Sequence, residues 1–164
     1  MKRGYVEQLE LRAEQIWWIL LPLVMAVVVA LLFPWLHERR VKRECADNMR
    51  TVGLWLMAFA EDHGGMLPSG TDWAVQMGDY IEDPSLLTCP ADRGRPQVRY
   101  VINPELGGRN LNRLKNPHEV VLLYEGEPGS IADRHGGGAN YLFADRSVHW
   151  LKEPPGGKPV FSEY

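Results

Sequence analysis

The segment from Ile16 to Leu36 reads IWWILLPLVMAVVVALLFPWL and contains no charged residue in its twenty-one positions. As an α-helix rising about 1.5 Å per residue, it spans roughly 31 Å, which is the thickness of the hydrocarbon core of a bilayer. Trp17 and Trp18 lie at one end and Trp35 at the other, and indole rings favour the membrane–water interface. The run is also too long for the hydrophobic region of a cleaved signal peptide. We therefore predict a retained transmembrane helix over residues 16–36.

The helical pattern continues into a more polar segment, residues 37–63. Its apolar residues recur at steps of three and four and so form one stripe of an amphipathic helix: Val41, Cys45, Met49, Val52, Leu56, Phe59 and Ala60. Gly64, Gly65 and Pro68 are expected to end this helix. Trp55 lies off the stripe. Either the packed face is wider than the stripe, or the indole contacts a neighbouring subunit.

The head is expected to follow this helix over residues 64–151, between a polar lead of residues 1–15 and a Pro/Gly-rich tail of residues 152–164. Residues 125–138 are predicted to form a glycine-rich loop. Alternating or continuous apolar runs predict four strands, with the second in the centre because it is apolar throughout: Val98–Asn103, Val120–Tyr124, Asn140–Ala144 and Ser147–Leu151. One helix stripe packed on a mostly antiparallel sheet gives an α+β fold.

Charge is distributed unevenly along the chain, although the formal net charge is only −3. Residues 37–50 carry five Lys/Arg against three Asp/Glu, whereas residues 51–164 carry ten against fifteen. An acidic head after a basic collar argues against a nucleic-acid partner, which requires a basic face. The basic collar instead suits membrane lipid. No motif for a small-molecule substrate is evident.

Two features of the sequence make opposite predictions about the side of the membrane on which the C-terminus lies. The basic residues flanking residues 16–36 lean slightly toward a cytoplasmic C-terminus. The two cysteines, Cys45 and Cys89, favour the opposite side, because a pair in a small loop-rich domain suits a disulfide in an oxidising compartment. The alternative is two buried free thiols.

Four stretches stand out together: CADNMRTVGL at residues 45–54, AEDHGGMLP at 60–68, LTCPAD at 87–92 and DRHGGGANYLFAD at 133–145. They resemble bacterial type IV pilin-like and type II secretion pseudopilin-like proteins, which carry a C-terminal signature of His, nine residues and Asp-Gly. The resemblance implies a pilin-like fold, anchorage in the bacterial cytoplasmic membrane and an extracytoplasmic head. It also implies a non-catalytic subunit that contacts other pilin-like subunits of a secretion or pilus apparatus.

Two positions depart from that family. Gly4 after Lys2-Arg3 fits a leader, but the fifth residue after it is Leu9 where the family has Glu, and the apolar run begins only at Ile16. Two alternatives therefore stand, a subunit that is cleaved after Gly4 and assembles, and a static anchored scaffold or binding module. The second departure is Arg146 in place of Gly. Either the turn is not of type I′, or Arg146 adopts a strained positive φ.

The signature loop supplies the candidate site residues His135, Gly136, Gly137, Asn140 and Asp145. We expect His135 to bond the loop backbone and Asp145 to bond turn amides. The alternative is a metal-dependent enzyme using His135, Asp145 and Glu125. Calcium bound by Glu125, Glu127 and Asp133 is a further candidate, because related pseudopilins use calcium to order a loop. No zinc site is predicted, since neither C-x-x-C nor H-x-x-x-H occurs.

Overall fold

The computed structural model describes the backbone of residues 3–92, 100–127, 130–132 and 134–155, and the side chains of these ranges from residue 16 onward. Its first element is one helix, Arg3–Asp62 (α1). The chain divides into two compact units, Met1–Arg39 and Arg40–Tyr164, and α1 contributes to both.

The first unit is helical in its described residues and apolar over residues 16–36. It contains the only described segment that is long and apolar enough to cross a membrane. The side chains of residues 16–39 are all exposed. At the polar end of the apolar run, the Arg39 guanidinium lies 3.8 Å from the centre of the Trp35 ring, a cation–π contact.

In the second unit, α1 buries the predicted stripe from Cys45 onward, whereas Val41 is partly exposed. Cys45, Met49, Val52 and Leu56 are fully excluded from solvent. Trp55 is also buried, with 8% of its surface exposed. The packed face of the helix is therefore wider than the stripe. Trp55 has too little exposed surface to contact a neighbouring subunit, so that alternative is wrong. The helix ends where Gly65 N donates to Ala60 O, a bond of the Schellman type.

A five-stranded antiparallel sheet packs against this face, which confirms the α+β prediction. The strands are Tyr100–Ile102 (β1), Val121–Glu127 (β2), Ser130–Ile131 (β3), Ala139–Phe143 (β4) and Val148–Leu151 (β5). They lie in the order β1-β2-β4-β5, and β3 pairs with the end of β2. The short helix Trp73–Gln76 (α2) and four 3₁₀ turns, Gly78–Tyr80, Pro84–Leu87, Pro90–Asp92 and Leu111–Arg113, connect α1 to the sheet and β1 to β2.

Two strand predictions require correction. The central strand does not end at Tyr124 but continues to Glu127, and Ser130–Ile131 forms a hairpin with it where a loop was predicted. The sequence does not predict this extension because Glu125 is polar, yet its side chain is completely buried. Gly126 permits the tight hairpin, because a Cβ there would collide with the carbonyl oxygen of Ser130.

The hairpin between β4 and β5 shows which type of turn contains Arg146 and which backbone conformation Arg146 adopts. Arg146 N donates to Phe143 O, and Phe143 N donates to Ser147 O, so the loop has three residues. Arg146 has φ +73°, the only positive φ among the described non-glycine residues. Since Asp145 does not share it, the turn is not of type I′. Arg146 instead occupies the left-handed position that closes a three-residue hairpin and usually holds Gly.

Candidate functional site

A disulfide joins the helix to the head. Cys45 on α1 is bonded to Cys89, with Cα atoms 5.1 Å apart, which confirms the predicted bridge. Both residues are buried. In the chain-entropy model, closing a loop with a sequence separation of 44 stabilises the fold by about 3–4 kcal/mol. The bridge lies beside a cluster of buried polar side chains, which we call the disulfide cluster: Cys45, Cys89, Glu125, His135 and Asn140.

Glu125 is the centre of the disulfide cluster. Its Oε2 accepts a hydrogen bond of 2.8 Å from Asn140 N, and its Oε1 accepts one of 3.0 Å from Asn140 Nδ2. These bonds compensate for removing the carboxylate from water. Asn140 Nδ2 also lies 3.3 Å from Lys42 O, so the amide bonds the helix as well as the strand.

His135 completes the disulfide cluster from the loop before β4. Its Nε2 lies 3.3 Å from Glu125 Oε1 and 3.4 Å from Cys89 Sγ. Through Nε2 the ring therefore contacts a carboxylate and a sulfur, and the expected bond from the ring to loop backbone stays a prediction. The loop carbonyl His135 O accepts a hydrogen bond of 2.9 Å from Trp150 Nε1. Gly136 and Gly137, both at positive φ, reverse the chain so that Arg134 N and His135 N reach Gly138 O.

A buried ion pair accompanies the disulfide cluster. Arg134 Nε donates to Asp92 Oδ1 at 2.8 Å, and each side chain is only 6% exposed. Tyr100 joins the same region through its hydroxyl, which donates to Cys45 O at 3.1 Å. Burial, reinforced by the negative charge of Glu125, raises the pKa of Tyr100 far above its usual range. This phenol therefore stays a hydrogen-bond donor at physiological pH.

His135 and Asp145, which the sequence places in one predicted signature, lie in different environments. His135 is 2% exposed in the disulfide cluster, whereas Asp145 is exposed in the hairpin between β4 and β5. Asp145 Oδ1 accepts hydrogen bonds of 2.8 Å from Ser147 N and 2.6 Å from Ser147 Oγ, which is the turn role expected for it. The structure thus brings His135 and Glu125 together but leaves Asp145 out, so the three groups of the alternative enzyme do not form one site.

The calcium set is not assembled by the described residues either. Glu125 faces the disulfide cluster, Glu127 is exposed at the end of β2, and Asp133 lies outside the described residues. The potential ligands that converge with Glu125 are Cys45, Cys89 and His135, whose ligand atoms lie within 4.8 Å of one another. While the sulfurs are bonded to each other they provide no thiolate, so in this state the disulfide cluster is a structural junction.

The sequence does not predict the Arg134–Asp92 ion pair, the hydrogen bonds by which Asn140 joins α1 to β2, or the contact of His135 with the disulfide. One signal was available for Glu125, since a carboxylate that directly follows an apolar run can remain in the same strand. A scan against protein-family models, a search of curated proteins and a search of solved structures return no match for this chain.

Proposed function

We propose that this chain is a non-catalytic, pseudopilin-like subunit of a type II secretion or type IV pilus-like apparatus. In this proposal, it is anchored once in the bacterial cytoplasmic membrane and its head is extracytoplasmic. The observation that carries the proposal is that a single helix, α1, supplies both an exposed apolar segment of membrane length and the core-facing stripe of an antiparallel-sheet head. This is the layout expected from the pilin-like resemblance.

The exposed apolar segment requires a partner. Large apolar side chains face outward all around it, including Trp18 at 80% and Leu31 at 70% exposure. Such a surface is stable only against lipid or against equivalent helices. Membrane lipid and neighbouring pilin-like subunits are therefore the partners that we propose for residues 16–36.

The side of the membrane is argued from the disulfide. The Cys45–Cys89 bridge is a structural bond between α1 and the head, and bonds of this kind persist mainly outside the cytoplasm. The basic residues flanking residues 16–36 favour the cytoplasmic side only slightly, so the disulfide is the stronger reason for placing the head outside the cytoplasm.

Photo-crosslinking in native membranes tests assembly. A photoreactive phenylalanine analogue in place of Phe33 replaces one exposed aromatic ring in the apolar segment with another. We expect a ladder of dimers, trimers and higher species after irradiation. The matched control is the same variant in a host that lacks the secretion and pilus machinery, where the ladder should disappear. Assembly would be contradicted if the protein in native membranes stays monomeric after irradiation and crosslinks only to lipid.

A static, non-polymerising anchor is the second candidate, and Leu9 at the position where the family has Glu favours it. The intact mass of the protein from its native membrane separates the two. A chain beginning at Tyr5 indicates prepilin processing and supports the assembling subunit. A chain that retains residues 1–4 supports the static anchor.

A further inference from the structure

The disulfide cluster joins four potential metal ligands from distant parts of the chain. Cys45 lies on α1, Cys89 between two 3₁₀ turns, Glu125 on β2 and His135 in the loop before β4. All four are buried, and one ligand atom of each lies within 4.8 Å of the others. We propose that, when Cys45 and Cys89 are reduced, these four residues bind one zinc ion tetrahedrally. This proposal does not depend on the proposed function.

The distances between the ligand atoms support this geometry. Bonds of about 2.0–2.1 Å to nitrogen and oxygen give a tetrahedral N···O separation of roughly 3.3 Å. The separation between His135 Nε2 and Glu125 Oε1 is 3.3 Å. With a zinc–sulfur bond of about 2.3 Å, the N···S separation becomes roughly 3.6 Å, and Cys89 Sγ lies 3.4 Å from His135 Nε2. Two of the six edges of the tetrahedron are therefore almost formed in the oxidised protein, and the other ligand atoms lie within the same 4.8 Å limit.

The edge between the two sulfurs is made by reduction. Once the S–S bond is broken, the two sulfurs repel each other to a normal contact distance, and two thiolates on one zinc lie about 3.8 Å apart. A dithiol reductant supplies two electrons and two protons to the bridge and itself becomes a disulfide. Zinc binding then releases the two thiol protons to solvent. The disulfide and the zinc ion therefore exclude each other.

The donor set and its surroundings select the metal. Two thiolates, one imidazole and one carboxylate suit zinc, whereas calcium and magnesium require mostly oxygen ligands. Asn140 holds the Glu125 carboxylate through both its backbone N–H and its side-chain amide, as metal-binding carboxylates are commonly held. The metal would lie between His135 Nε2 and Glu125 Oε1 and would replace their direct contact. A zinc ion would thus join α1 to the head in the chain that has not yet formed its bridge.

The test uses the full-length protein in mild detergent, reduced with a phosphine, desalted without oxygen and titrated with Co²⁺ and then Zn²⁺. We expect one Co²⁺ per chain, with the visible bands of tetrahedral cobalt and a thiolate-to-cobalt charge-transfer band, both lost when Zn²⁺ displaces it. The oxidised protein should show neither band. His135→Gln and Glu125→Gln each alter a direct ligand and should weaken Zn²⁺ binding by at least the roughly 10–100-fold that loss of an outer-shell partner costs. The control His149→Gln alters an exposed histidine and should bind like the wild type.

Two results would overturn the proposal. One is a folded, reduced wild type with two titratable thiols and no tetrahedral cobalt spectrum. The other is equal Zn²⁺ affinity for the wild type and His135→Gln, which would indicate binding by the cysteines alone. If the reduced chain unfolds, one equivalent of Zn²⁺ should restore its near-ultraviolet circular dichroism in the wild type and His149→Gln but not in His135→Gln. Failure to restore it in the wild type would also overturn the proposal.

Discussion

His135 Nε2 and Glu125 Oε1 lie 3.3 Å apart in a region from which solvent is excluded. The pair connects the loop before β4 to the end of β2. Asn140 extends the connection to α1 through the carbonyl of Lys42, and Cys89 extends it through the disulfide. The helix, the central strand and the loop before β4 therefore share one buried polar junction. Removal of one member should affect the stability of the whole head.

Glu125→Ala should lower the free energy of unfolding by about 3–5 kcal/mol, because it leaves buried donors of Asn140 without their acceptor. The measurement is urea unfolding of the full-length protein in detergent, followed by near-ultraviolet circular dichroism. Glu127→Ala is the matched control on the same strand, and it should cost less than about 0.5 kcal/mol because Glu127 is exposed. Equal losses for the two variants would show that the buried junction does not stabilise the head.

Replacing both cysteines, Cys45→Ala with Cys89→Ala, should lower the free energy of unfolding by about 3–4 kcal/mol. The expected cause is the greater freedom of the unfolded chain when the bridge is absent. A reductant should lower the stability of the wild type but not that of the double variant. Thiol titration of the denatured, non-reduced wild type should find no free thiol. Two free thiols in protein from its native membrane would contradict the bridge.

Arg146→Gly should raise the free energy of unfolding by about 0.5–1 kcal/mol. Relief of the left-handed backbone contributes about 1–2 kcal/mol, and the greater freedom of glycine in the unfolded chain offsets part of it. Arg146→Ala is the control, because alanine removes the guanidinium but keeps the strained φ. It should give no comparable gain. If alanine stabilises as much as glycine, the effect comes from the side chain and not from backbone strain.

Ser147→Ala should raise the pKa of Asp145 toward its ordinary value. The Ser147 hydroxyl is the main cause that lowers the pKa of this carboxyl in the folded protein, and the Ser147 N–H adds to it. Because the folded pKa is lowered, the stabilisation is present above the unfolded value of about 3.9 and is lost as pH falls through the folded pKa.

The measurement is an NMR titration of labelled aspartate carboxyl groups in the full-length protein. Asp83 serves as an internal control, because its pKa is lowered by Ser85 instead and should not change in the variant. A Ser147→Ala variant in which the pKa of Asp145 stays low would assign the shift to other groups. Stability of the variant should also depend less on pH in the acid range.

Several features of this chain were determined by the sequence alone because they depend on neighbours along the chain. The helix over residues 16–63 follows from an apolar run of membrane length and a repeat of three and four. The end of α1 follows from Gly64 and Gly65, and the central strand from the apolar run at residues 120–124. Each is a local pattern that one segment satisfies by itself.

The tertiary structure alone decided which side chains meet. Trp55 lies off the helical stripe, but it is buried in the same hydrophobic core as the stripe. Glu125 has the polarity of a loop residue, but Asn140 and His135 satisfy its carboxylate inside the sheet. His135 and Asp145 share a motif yet have different partners, because the hairpin carries Asp145 to the surface. Contacts such as Cys45–Cys89 and Glu125–His135 depend on packing between distant segments, and no local periodicity encodes the distance between two atoms that only the completed fold brings together.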